Sequence, residues 1–393
     1  MNRDFVLTVL ATLLFMLSFT AFYLLPLIVQ RLGGDEADIG FVSGAGWAAS
    51  VICTPFLGIW VDRWGRKVFL LAGAALLTAG ALGFLLVRGI GPLIYFLRIL
   101  QGVGLATGLT AGYALVADLS PAFRRGEAYG VYLVFTLTPH AVGPWIGEGV
   151  IRAGGFPAFF GVAAGYGVLS LLLAMFVRSP APRADRIPGS SLLALLTRRS
   201  VWPVFGTIFL VGSSFGAVLT FIPTYLKSRG FETVSFFFVT YTVVAVGIRV
   251  FLAKISDRWG RRTVILPNLL VMVVVLSLLA LARNAALFTA AALLFGMSQG
   301  FLHPTLGALV VDRVSAADRG KAFGLFTSLF HLGIFLISST LGNVASRAGY
   351  PWVYWISAGL ALGCAVFFAY FDPSRNVLNS PARGDGRAAD GAR

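Results

Sequence analysis

The sequence is poor in charge. Of 393 residues only 12% are Asp, Glu, Lys or Arg, where soluble domains carry about a quarter. The remainder is 58% hydrophobic, with a mean hydropathy of +0.85. A water-soluble chain has no way to hide that much apolar surface, so the expected solvent is lipid. Cysteine is also scarce. Cys53 and Cys364 both fall in apolar runs, which excludes a disulfide framework and leaves buried thiols. No Gly-x4-Gly-Lys-Ser/Thr loop occurs, so ATP is not the expected energy source. No metal-ligand cluster, carboxylate pair or nucleophile–base set appears, which argues against an enzyme, a resident metal or a cofactor. Strict two-residue alternation is missing from runs such as 69–87 and 269–281, which excludes a β-barrel.

What is present is a series of apolar runs of about twenty residues or more, the length needed to cross a hydrocarbon core of ~30 Å. They fall near 5–30, 37–61, 68–87, 91–117, 126–150, 156–177, 201–226, 233–255, 263–282, 286–311, 321–345 and 350–371, and are called spans 1 to 12 below. The first is too long for a signal-peptide core and has no small-residue cleavage site after it. The net charge of +15 suggests nucleic acid until its distribution is read. With the N-terminus in the cytoplasm, 22 basic residues lie on the cytoplasmic side, 7 outside and 2, Arg98 and Arg249, within spans. The positive-inside rule then puts both termini in the cytoplasm, beside an anionic leaflet, and nucleic acid is not expected as a partner. The Pro-, Arg- and Ser-rich stretch 178–200 reads as a linker between six-span bundles at 1–177 and 201–371, and 372–393 as a disordered tail.

The chain repeats itself. Asp62-Arg63-Trp64-Gly65-Arg66-Lys67 after span 2 returns as Asp257-Arg258-Trp259-Gly260-Arg261-Arg262 after span 8, 195 residues on. Asp118, Gly126, Ala128 and Gly130 return as Asp312, Gly320, Ala322 and Gly324, each 194 residues on. Two motifs repeating at nearly one spacing imply a duplicated six-helix unit.

On these residues the chain resembles the major facilitator superfamily. Gly58-x3-Asp62-Arg63-x-Gly65-Arg66-Lys67 is similar to that family's signature loop, and the second copy differs in having Ala253 for the first Gly. The resemblance implies an all-α membrane protein with twelve transmembrane helices in two six-helix bundles related by a pseudo-two-fold axis, working by alternating access. It also implies that Asp62 faces the start of span 11 near Gly320, and Asp257 the start of span 5 near Gly126. A carboxylate favours the positive end of a helix dipole, so these contacts would hold the cytoplasmic side shut. Arg66 and Arg261 are expected to pair with Asp118 and Asp312.

Ionisable groups inside spans suggest function. Arg98-x-x-Gln101-Gly102-x-Gly104 resembles the family's span 4 motif, associated with proton coupling; span 10 keeps Gln299-Gly300 but has no Arg. Gly143-Pro144-x-x-Gly147 resembles the span 5 signature of drug:proton antiporters, with Glu148 where a second Gly is usual. Glu148 thus reads either as a proton carrier or partner of Arg98, or as a residue of the exit lip. Arg249 reads as snorkelling from, or bracing, the end of span 8 rather than binding substrate. His140, His303 and His331 are expected to hydrogen-bond across helices, as membrane histidines usually do, and of the three His303, before Pro304, is the candidate for titrating. Tyr23, Tyr113 and Tyr225 are candidates for lining a cavity. The expected function is proton-coupled efflux of a small hydrophobic or amphipathic compound by a monomer; the alternative is proton-coupled uptake of a metabolite such as a sugar or organic acid. The expected location is a bacterial inner membrane.

Overall fold

The computed structural model describes residues 2–179, 190–252, 255–315 and 317–372, with the backbone alone at Ile59, Ala122 and Asp257. All the regular structure among them is helical. Ten stretches are long and apolar enough to cross a membrane. One of them, Arg125–Met175, holds two spans, because Gly155 breaks it with a φ of 71° and turns the chain back. Ser235–Phe251, at 17 residues, is the shorter remaining one. The twelve spans of the sequence are thereby all present.

The helices begin where local chemistry predicts. The Asp35 side chain accepts from the Asp38 amide and Asp38 reciprocates, a capping box that starts span 2. Asn284 caps span 10 through the Leu287 amide. The signature loops turn on a glycine: Gly65 (φ 94°) joins span 2 to span 3, and Gly260 (φ 86°) joins the short helix Ile255–Trp259 to span 9. A side chain at either would be strained, which explains why both copies of the motif hold Gly there.

The part of the linker called 178–200 that lies at 180–189 is outside the described residues, as is 373–393 of the tail. The linker's end is a short helix, Leu192–Thr197, anchored ahead of span 11. The Ser190 amide and hydroxyl both donate to Asp318, at 2.7 and 2.9 Å. These donors, with Ser315, hold the Asp318 carboxyl below its usual range.

The two bundles meet unequally at their two ends. The face with the signature loops and termini is called here the basic face, and the opposite one the far face. Toward the far face span 2 packs on span 11 through small residues. A Cβ at Gly40 would collide with the Ser338 carbonyl, one at Gly44 with the Ser339 hydroxyl, and one at Gly342 would lie 2.5 Å from the Glu36 carbonyl oxygen. Such glycines let backbones approach closely. Tyr350 donates to Glu36 across the same seam at 3.0 Å. Toward the basic face, Gly126, Gly130, Gly320 and Gly324 have no atom of another element within 4 Å of where a Cβ would stand. There the Tyr113 and Phe323 rings, 5.9 Å apart, narrow the mouth between the halves. The arrangement is closed at the far face and open at the basic face.

Candidate functional site

Arg98 lies three residues before Gln101 on span 4, so both side chains share a face, and its guanidinium donates to Gln101 Oε1 at 2.6 Å. It is 4% exposed. Two glycines put it there. A Cβ at Gly102 would collide with the Gly46 carbonyl, so spans 2 and 4 cross in backbone contact. A Cβ at Gly46 would press on the Arg98 carbonyl oxygen at 3.0 Å and its guanidinium nitrogen at 3.3 Å. The guanidinium lines a narrow recess between the halves, with Phe19, Tyr23, Ser43, Trp47 and Thr220 around it. Among the described residues no carboxylate pairs with Arg98.

Glu148 is not the partner of Arg98. It is buried, at 4% exposed, and accepts from the Val234 amide at 3.0 and 3.2 Å and from the Ser235 amide at 3.0 Å. Those amides begin span 8, whose Val234 cap supplies no side-chain acceptor. The first amides of a helix lack internal partners and carry its positive end, so a carboxylate from the other half completes them. The structure seats the Glu148 carboxylate on the start of span 8, a contact that holds the far face closed. The span 5 motif packs as its residue types require. A Cβ at Gly143 would reach the Ala21 amide nitrogen at 2.9 Å, and one at Gly147 the Leu24 side chain at 3.2 Å, so span 5 lies close against span 1.

Two of the three histidines make the cross-helix hydrogen bonds expected of membrane histidines. His303 stands edge-on to Phe326 and Phe330, at 5.3 and 5.2 Å, all within the second half. His140 and His331 instead bridge the halves. His140 Nδ1 shares a 2.8 Å hydrogen bond with the Tyr241 hydroxyl, and its ring is 3.3 Å from the Tyr23 hydroxyl. His331 Nδ1 shares one of 2.9 Å with Ser50 Oγ, while its ring packs on Trp47. No local pattern could have shown this, since the partners are 101 and 281 residues away. Of the three tyrosines, Tyr23 lines the recess and Tyr113 the mouth. Tyr225 does neither: it is buried in the second half and donates to the Leu279 and Ala282 carbonyls.

Arg249 lies in the last turn of span 8, but its side chain leans back from that end rather than snorkelling out of it. Its Nε is buried, and the guanidinium is within electrostatic reach of Tyr113, His140, Tyr241 and His303, on four different spans. In an α-helix side chains lean toward the N-terminus, which here is toward the middle of the membrane.

At the basic face the intra-half pairs form. Arg66 Nε is 2.8 Å from Asp118, and Arg261 Nε is 2.6 Å from Asp312. Asp62 is paired with Arg66 at 3.2 Å and its side chain is 47% exposed. It makes no contact with Gly320, whose surroundings are open. The Asp257 side chain lies outside the described residues. Gly58 has open space around it, and Arg63 and Arg258 are exposed at the face.

The comparisons with known proteins agree with this architecture. The family model described as Major Facilitator Superfamily matches residues 7–282 and 232–390. The staphylopine export protein of Staphylococcus aureus is 26% identical over 362 residues, covering 86% of this chain and 88% of its own. The multi-drug resistance efflux pump PmrA of Streptococcus pneumoniae is 25% identical, covering 85% and 87%. Among solved structures, the nucleoside transporter NupG superposes with a TM-score of 0.80 at 16% identity, covering 94% of this chain and all of its own. The human organic anion transporter MFSD10 gives 0.74 at 18%, with the same coverage. With twelve spans in two repeated halves, a recess between them and a family match along nearly its whole length, this chain belongs to the major facilitator superfamily of integral membrane transporters.

Proposed function

We propose that the chain exports a small, rather hydrophobic or amphipathic compound from the cytoplasm in exchange for protons. The reading carries with it a monomer in a bacterial inner membrane, with the basic face and both termini cytoplasmic. The observation that bears most weight is the seating of Gly143 and Gly147 of span 5 against span 1 beside the recess that holds Arg98. That close contact is what the antiporter-like motif provides, and the bacterial relatives named for export and efflux support the direction. Pro144 within the helix bends span 5 at the same place. The structure is then the inward-open state: substrate enters from the cytoplasm, the halves rock, and the far face opens. The test is flux in proteoliposomes of known orientation with an imposed pH gradient. Accumulation of an amphipathic compound against its gradient, abolished by a protonophore, is the expected result. Movement indifferent to the pH gradient overturns the proton coupling.

Closing the cytoplasmic side requires Asp62 to leave Arg66 and reach the start of span 11, where Gly320 and Gly324 leave room. A carboxylate at a helix N-terminus contributes on the order of 0.3–2 kcal/mol. Asp62→Asn is therefore expected to lower turnover several-fold with expression little changed, and to raise labelling of cytoplasmic-side cysteines. Unchanged transport and labelling would remove Asp62 from gating. The matching substitution Asp257→Asn is expected to act in the same direction and less strongly, because Ala253 stands where the first copy has Gly58.

A further inference from the structure

Sixteen Asp and Glu residues occur in the chain, and Glu148 is the one that lies well inside a span. Its carboxylate is committed to the first amides of span 8. The two arginines inside spans, Arg98 and Arg249, have no acid to pair with among the described residues, and each keeps a buried Nε without a hydrogen-bond partner. Unpaired cations away from water are costly, and a protein retains them where something else supplies the opposite charge.

The two are placed on one route. At ~1.5 Å per residue, Arg98 sits about 9 Å from the far end of its helix and Arg249 about 21 Å from the far end of its own. Between them runs a chain of neutral polar groups. Arg98 is within electrostatic reach of Tyr23, Tyr23 contacts His140, His140 is hydrogen-bonded to Tyr241, and Tyr241 is within reach of Arg249. Arg249 also stands nearer the open basic face, where Tyr113 and Phe323 offer aromatic surface. A planar guanidinium with free donors matches a carboxylate bidentately, and the rings suit an apolar body.

We propose that the cavity selects organic anions, binding the carboxylate of an amphipathic compound at Arg249 on entry and presenting it to Arg98 deeper in. The proposal rests on the transport reading and narrows its substrate class. It excludes the lipophilic cations that an acid in the cavity would serve.

The test is binding to the full-length protein in phosphatidylcholine nanodiscs, with empty nanodiscs subtracted. The probes are dansylglycine, an anion, and dansylcadaverine, a cation with the same fluorophore. Dansylglycine is expected to bind at least tenfold more tightly than dansylcadaverine. Arg249→Gln should remove that preference, and Arg249→Lys, which retains the charge, should keep most of it. Arg98→Gln should weaken dansylglycine less in this inward-open state. Equal affinities, a preference for the cation, or no dansylglycine binding below about 1 mM overturns the proposal. If Arg249→Gln does not fold, the wild-type preference and the Lys variant still decide it. Because no flux is measured, the outcome is separable from the transport reading. A cation preference in a protein that still moves substrate sinks only the anion site, and selective binding without flux sinks only transport.

Discussion

Gly40→Leu is expected to abolish transport by removing the state described here. Span 2 passes span 11 at that point with its backbone against the Ser338 carbonyl, and the Gly342 Cα lies 3.2 Å from the position of an added Cβ. Both neighbours are backbone, so no side chain can rotate away. Overpacking of this kind costs typically 1–3 kcal/mol or more. In a two-state protein such a difference shifts the populations by 5- to 150-fold. The outward-open state separates these helices and does not pay that cost, so the variant should accumulate there. A single cysteine at Leu219, which lines the recess, in a background without Cys53 and Cys364, would report the shift. Labelling by an impermeant maleimide from outside should rise at least fivefold while transport is lost. Gly324→Leu should do the reverse, since its site is open here and must fill when the basic face closes. Unchanged outside labelling in Gly40→Leu, with normal transport, would mean the seam can open and close around a side chain.

The spans, the repeat and the intra-half pairs Arg66–Asp118 and Arg261–Asp312 were legible because each rests on local pattern: apolar run length, a glycine turn, or one loop copied 195 residues on. Arg98 was legible as a charge within an apolar run. The seam was not. Gly40 looks like any glycine of a membrane helix until Ser338, 298 residues later, is placed against it. Arg249 was legible as a residue of the last turn of span 8, but not the direction of its side chain, which depends on neighbours from other spans. Ser235–Phe251 starts near the far face, and a helical side chain leans toward the N-terminus, so the guanidinium turns back from the basic face toward Tyr113, His140 and His303. That His140 and His331 bond across helices was legible, but their partners were not, for the same reason as Gly40: Tyr241 and Ser50 belong to the other half.

Glu148→Gln is expected to lose pH-gradient-driven transport while keeping substrate counterflow. The carboxylate takes three contacts of 3.0–3.2 Å from two amides that have no other acceptor in their own helix. Hydrogen bonds to a charged group contribute about 1.5–3 kcal/mol. Gln keeps one acceptor but turns an NH2 donor toward an N–H, and it loses the attraction of a charge for the helix end. The far face should therefore open more readily, with outside labelling at Leu219 several-fold higher. The same contact gives protons a way to act. When the far face opens, Glu148 leaves the Val234 and Ser235 amides and meets outside water. Protonating it there removes the acceptor charge that would draw the halves together again, so outside acid should hold the far face open. Gln imitates that protonated form permanently, and the response of labelling to outside pH should disappear with it. This separates Glu148 from Gly40, where a steric block should suppress counterflow and gradient-driven flux alike. Full gradient-driven flux in Glu148→Gln would move proton coupling to the groups that bridge the halves deeper in, His140 with Tyr23 and Tyr241 first among them.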